Sequence, residues 1–211
     1  MTRQDLRKLA IALTTLIVLS VCLILASRPR AAWGSVFWGQ GRQKSITRHL
    51  EKNMPLRFDK VKAAGRALEL KGSDETQEEF DASDDWMKGM TVNFKNTSTR
   101  NIVYFRLDLM FPETEGQEPM RAYHMIFGRR PKDSTDKDYD TLLTPGEEVE
   151  LTLNDEQHGK MQAFLKKGGF DKVSNVRLFL ETVIFDDDSM WNGGSLYRRD
   201  EKDPNNWLPI R

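Results

Sequence analysis

The sequence opens with one long apolar run. Residues 9–26, LAIALTTLIVLSVCLILA, are 18 positions without a charge. As a helix at 1.5 Å per residue they span about 27 Å, close to the hydrocarbon thickness of a bilayer. Past residue 55 the pattern changes to alternation, the period of strands. Leu56, Phe58 and Val61 suggest a first strand, and Ala67, Leu68 and Leu70 a short second one. Residues 74–85 hold seven carboxylates and one large apolar side chain, Phe80, which reads as a solvated loop. Met90, Val92 and Phe94 then alternate with Thr91, Asn93 and Lys95. After the turn Asn96-Thr97-Ser98-Thr99, residues 101–111 alternate again. There Val103, Phe105, Leu107, Leu109 and Phe111 form the core face, opposite Ile102, Tyr104, Arg106, Asp108 and Met110. Two such strands with a tight connection predict a hairpin.

Residues 121–127 read as a further strand and residues 129–140 as a polar loop. The turn Thr144-Pro145-Gly146 leads into a strand over residues 147–153, with Val149, Leu151 and Leu153 inward. Asn154 with Gln157 makes a capping-box pattern for a helix with the stripe Met161, Phe164, Leu165, stopped at Gly168-Gly169. Residues 172–185 carry Val176, Leu178, Leu180, Thr182 and Ile184 on one face, and Phe179, Val183 and Phe185 on the other. Asp186-Asp187-Asp188-Ser189 turns the chain into an irregular last strand with Met190, Trp191, Leu196 and Tyr197. Seven or eight strands, one helix and no βαβ alternation imply an all-β, antiparallel two-layer sandwich, with the helix closing one end or edge.

The organisation follows: a basic N-terminus over residues 1–8, a transmembrane helix over 9–26, a basic linker or stalk over 27–55, and the sandwich over 56–211. Ile24-Leu25-Ala26 and Arg30-Ala31-Ala32 are poor cleavage sites, which favours an uncleaved signal anchor over a removed signal peptide. Cys22 lies inside the apolar run and reads as a lipid-facing or packing residue. Arg3, Arg7 and Lys8 precede the run, and Arg28, Arg30, Arg42 and Lys44 follow it, so the positive-inside rule alone does not decide orientation. A short basic N-terminus retained inside favours the domain outside; a cytoplasmic domain is the competing reading. Trp33 and Trp38 suit the headgroup level, and residues 45–54 could form a short helix capped by Ser45 and stopped by Pro55.

One set of residues carries a resemblance. Trp86, the run Val92-Asn93-Phe94-Lys95-Asn96-Thr97-Ser98, Ile102-Val103-Tyr104-Phe105, Leu109-Met110-Phe111-Pro112, Leu143-Thr144-Pro145-Gly146-Glu147, Val176-Arg177-Leu178 and Phe185-Asp186-Asp187 occur in this order. The order resembles a group of exported bacterial proteins of uncharacterised role that pair a K-N-T-S turn with a late F-x-D-G-T-x-W hairpin. It is similar, more loosely, to the immunoglobulin-like fold of late-embryogenesis-type and related bacterial surface modules. The resemblance spans residues 56–193 and implies an immunoglobulin-like β-sandwich and export, with no catalytic residues. Asp188-Ser189 stands where Gly-Thr is expected, which puts the turn type in question.

Composition changes the picture in two ways. The net charge is zero, but residues 1–62 hold twelve Lys/Arg against three Asp/Glu, and residues 63–211 hold twenty against twenty-nine. The folded part is therefore acidic, which disfavours nucleic acid. The single Cys excludes an intramolecular disulfide and a Cys-based zinc site. Nucleophile-elbow, H-E-x-x-H and P-loop patterns are absent, and His49, His124 and His158 lie outside any catalytic motif. Asn96-Thr97-Ser98 matches a glycosylation sequon, and a turn explains it equally well.

Two acidic clusters remain. Asp133, Asp136, Asp138 and Asp140 crowd one loop; Asp186, Asp187, Asp188 and Asn192 crowd another. Hard cations take such oxygens, so Asp186, Asp188 and Asn192 are the metal candidates, though no EF-hand glycine or closing glutamate is present. No catalytic residue and no cofactor is assigned. The expected function is a membrane-anchored, extracytoplasmic, non-catalytic binding or envelope module. It would contact lipid through its helix and a protein partner through a sheet edge. The alternatives are a hydrolase using carboxylates from the loops after Phe127 or Phe185, or a calcium-binding surface protein.

Overall fold

The computed structural model describes residues 42–72, 75–116 and 121–210. All belong to one compact unit, Gly39–Arg211. The expected transmembrane helix, Cys22, Trp33, Trp38 and the first part of the linker lie outside the described residues. Among the described residues no helix is long and apolar enough to cross a membrane.

The architecture is two β-sheets and one short α-helix. The smaller sheet has four strands in the order β3 (Arg66–Glu69), β2 (Leu56–Ala63), β5 (Thr91–Asn96), β8 (Glu148–Thr152). The larger sheet is built on β9 (Asn175–Phe185). One side of β9 pairs with β6 (Ile102–Met110), which pairs in turn with β7 (Ala122–Gly128). The other side is shared: its first half pairs with β1 (Arg42–Arg48), which pairs with β4 (Thr76–Ala82). Its second half pairs with β10 (Ser189–Asn192), followed by β11 (Ser195–Arg199) and β12 (Trp207–Pro209).

The sheets face each other across the main core. A ladder of rings crosses it: Phe58 to Phe94 at 5.4 Å, Phe94 to Phe105 at 4.7 Å, and Phe105 to Phe127 at 5.0 Å. Trp86 closes one end, edge-on to Phe80, with its indole N–H donating to Val173 O at 3.0 Å. The helix α1 (Asp155–Lys167) has the expected capping box between Asn154 and Gln157, and it sends Met161 and Leu165 into the core.

Four features depart from the sequence reading. Residues 42–48 form β1, not the start of a helix, and its pairing with β9 is parallel, so the sandwich is not wholly antiparallel. The strand was masked because two of its three inward alternating positions, Lys44, Ile46 and Arg48, are charged. Lys44 Nζ pairs with Asp84 at 3.2 Å, and Arg48 donates to Gly72 O at 2.8 Å, which makes their burial tolerable. Much of the acidic run is likewise a strand, β4, whose Phe80 alone is fully inserted; an edge strand needs only one apolar face and is guarded by charge. The expected β5–β6 hairpin does not form: β5 lies in the small sheet and β6 in the large one, so residues 97–101 arch between the layers. The irregular last strand resolves into β10 and β11, joined by Gly193-Gly194 with φ of +51° and +82°, the two-residue turn that suits strand twist.

Two bulges break the expected single-face pattern, at the start of β6 and midway along β9. Arg106 pairs with Thr182 and Leu107 with Leu180, so Glu181 is an extra residue. Val176, Leu178 and Leu180 enter the main core before it, and Val183 and Phe185 after it. Val103 is the corresponding extra residue on β6. It joins Tyr104, Ile184 and Met190 in a second apolar cluster, covered by Tyr139, Tyr197 and Trp207.

Candidate functional site

The arch and the late hairpin meet at one end of the sandwich. Residue Asn96 anchors the arch: it is 1% exposed, and its amide donates to Arg100 O at 2.8 Å and Leu143 O at 2.9 Å. Its Oδ1 accepts from the N–H and the hydroxyl of Ser98. Thr97 ties the arch to the start of β2 by donating its N–H and hydroxyl to Pro55 O.

Residue Arg100 joins the arch to the hairpin. Its guanidinium lies 5.2 Å from the centre of the Phe185 ring and donates to Ser189 Oγ at 2.7 Å, with Asp187 at 3.7 Å. Asn101 adds a bond from Nδ2 to Asp186 Oδ2 at 2.7 Å. A cleft of about 310 Å³ opens between these parts. Its apolar lining is Met54, Pro55, Phe185, Trp191 and Leu196, and its polar rim includes Thr97, Thr99 and Arg100. An apolar floor with a few polar groups at the mouth is the usual form of a site for a side chain or small ligand. Trp191 is fixed in the floor by its indole N–H, which reaches Lys52 O at 3.3 Å.

The predicted metal candidates are divided by the structure. Asp186 and Asp188 lie in the hairpin turn, where Asp188 takes a φ of +61°, the left-handed conformation that a glycine would supply without strain. Asp188 Oδ2 accepts from Lys137 at 2.7 Å, and its other oxygen lies 3.9 Å from Arg199. Asp187 Oδ1 accepts from the N–H and hydroxyl of Ser189. Asn192 stands three residues along β10, about 10 Å at strand rise, and its amide donates to Thr182 Oγ1 at 3.0 Å. Among the described residues no group of three or more His, Cys, Asp or Glu converges as a metal site. The 129–140 cluster supplies its own cation: Arg129 forks onto both oxygens of Asp136 at 2.7 Å, holding that carboxyl well below the usual range.

A second groove, about 370 Å³, flanks the same turn and is lined by Asp187, Asp188, Asp200 and Glu201 with Arg198 and Arg199. On the outer face of the large sheet a further charged set assembles. Asp108 Oδ1 lies 2.8 Å from His124 Nδ1 and 3.1 Å from Arg106 Nε, and Arg106 reaches Glu181 at 2.5 Å. The bulge at Glu181 is what aims that carboxylate at Arg106. Sequence reasoning placed Arg106 and Asp108 on one face but missed the set, because His124 and Glu181 come from two other strands. It also missed Arg100, whose place directly after a four-residue polar turn was the available signal.

No family model, curated protein or solved structure matches the chain.

Proposed function

We propose that the chain is a membrane-anchored binding module. Residues 9–26 act as an uncleaved anchor in lipid, the sandwich is an immunoglobulin-like domain on the outer side, and the cleft takes an apolar side chain of a protein partner. The observation that carries this reading is the cleft itself, where the arch and the hairpin place Trp191, Phe185 and Leu196 beneath a polar rim. The cleft lies at the end of β9 opposite the one that pairs with β1, about 35 Å along that 11-residue strand.

Site-specific photo-crosslinking in cells tests the binding half. A probe at Thr99, on the exposed rim, is expected to give a discrete adduct that Leu196→Arg abolishes, and a probe at Gln77 on β4 none. Equal adducts at both positions, or an adduct indifferent to Leu196→Arg, contradict the reading. Carbonate extraction, with a reporter fused after Arg211, tests the anchor and its orientation. A second reading, a hydrolase using paired carboxylates, is favoured by the acidic groove beside Asp187 and Asp188. Loss of a measured hydrolytic activity in Asp187→Asn, with the fold kept, would support it.

A further inference from the structure

We infer that the free edge of β7 pairs antiparallel with β7 of a second copy of this chain, making one continuous sheet across a two-fold axis near Met125. The inference does not depend on the cleft. Among the described residues five strands are paired on one side only: β3, β4, β7, β8 and β12. An open edge is a template for another strand, and folded chains guard such edges with charge, proline or shortness. Four of the five are guarded. β4 carries Glu78, Glu79 and Asp81; β8 carries Glu148 and Glu150; β3 is four residues with Arg66 and Glu69; β12 is three residues ending in Pro209. The exception is β7, Ala-Tyr-His-Met-Ile-Phe-Gly, which has seven residues, no Asp, Glu, Lys or Arg, and no proline.

Its side chains suit its own sequence run backwards. Pairing about Met125 sets Tyr123 opposite Phe127 and His124 opposite Ile126 of the other copy, with Ala122 opposite Gly128. No like charges meet within the strand. Ile126, the most exposed of the large apolar side chains among the described residues at 52%, gains a neighbour on the outer face. Three cations beside the strand are engaged within their own chain: Arg106, the β6 partner of Ile126, on Asp108 and Glu181, Arg129 on Asp136, and Arg121 over the Phe164 ring at 5.2 Å. Gly128 ends the edge, because its φ of +68° turns the chain away. A two-fold pairing consumes both neutral edges and, among the described strands, leaves only guarded ones, so the assembly closes as a dimer and does not grow.

The test is light scattering of the full-length chain in detergent solution, with the detergent mass subtracted. The expected result is twice the 24.4 kDa chain mass, falling to one chain in Ile126→Lys with an unchanged far-ultraviolet circular dichroism spectrum. The control Gln77→Lys, on the guarded β4 edge, keeps the dimer. A wild-type monomer, or a dimer that survives Ile126→Lys, overturns the inference. So does an Ile126-dependent adduct to a different protein, which would mean that a foreign strand fills the edge.

Discussion

Asn96 shows how much a single side chain can hold. Both amide hydrogens go to carbonyls on separate segments, Arg100 and Leu143, and its oxygen is used twice by Ser98. Truncation would take one donor from each of Leu143 O and Arg100 O, which keep the Ile102 N–H and the Ser98 hydroxyl, would leave the Ser98 N–H without its acceptor, and would free the arch. Asn96→Ala is expected to cost about 2–4 kcal/mol in denaturant unfolding. A change under about 1 kcal/mol would show that the arch is held elsewhere. The turn reading of Asn96-Thr97-Ser98 stands on this burial; the amide is fully committed inside the protein. Lys44 makes the opposite prediction. Its side chain is 0% exposed, while its partner Asp84 is 38% exposed and also meets Lys172. Removing the buried cation leaves a carboxylate that water can solvate, so Lys44→Met is expected to be neutral or to stabilise by up to about 4 kcal/mol. Asp84→Asn strips a buried charge of its counterion and should lower the melting temperature.

At the scale of elements, α1 and β7 give the cleanest expectations. The capping box at Asn154 satisfies two otherwise orphaned N–H groups, so Asn154→Ala should cost about 1 kcal/mol and leave the sheets intact. Gly128 closes β7 where a Cβ would sit 2.1 Å from Val103 O, at a φ of +68°. Gly128→Ala should therefore cost more than about 2 kcal/mol, against a smaller loss for Gly89→Ala, whose Cβ would meet nothing within 4 Å. Elements with one clean apolar face were legible from sequence: β2, β5, β8 and α1 lie where the alternation or the cap placed them. β1 and β4 were not, because Lys44, Arg48 and a run of carboxylates occupy positions that period-2 reading expects to be apolar. The false hairpin has another cause. Two adjacent strands, each with one greasy face, satisfy a hairpin and an arch equally well, and only the strands they pair with, far along the chain, decide. The candidate site was hidden for the same reason: its turn and its hairpin were both visible, yet Arg100 and Ser189 are 89 residues apart in sequence.

For the whole molecule, acid should lower stability. Asp84 is held below the usual carboxylate range by Lys172 and then Lys44, and Asp136 by the Arg129 guanidinium. Asp133 is lowered by the hydroxyl and N–H of Thr135, and Glu147 by the N–H and hydroxyl of Thr144. Each group binds its proton more weakly folded than unfolded. Its contribution is complete above the unfolded value near 4 and is lost as pH falls through the folded one. The melting temperature should hold from pH 8 to 5 on their account and fall below about pH 4, less steeply in Asp136→Asn.

The cleft exists only if residues 97–101 bridge two sheets. Cross-strand Hα–Hα contacts in the NMR spectrum of the labelled chain report this most directly. The account predicts contacts from β5 to β2 and β8, among them those linking Asn93 or Phe94 with Glu150 or Val149, and from β6 to β7 and β9. A ladder of contacts between Thr91–Asn96 and Ile102–Met110 would contradict it, because a β5–β6 hairpin leaves no arch and no cleft.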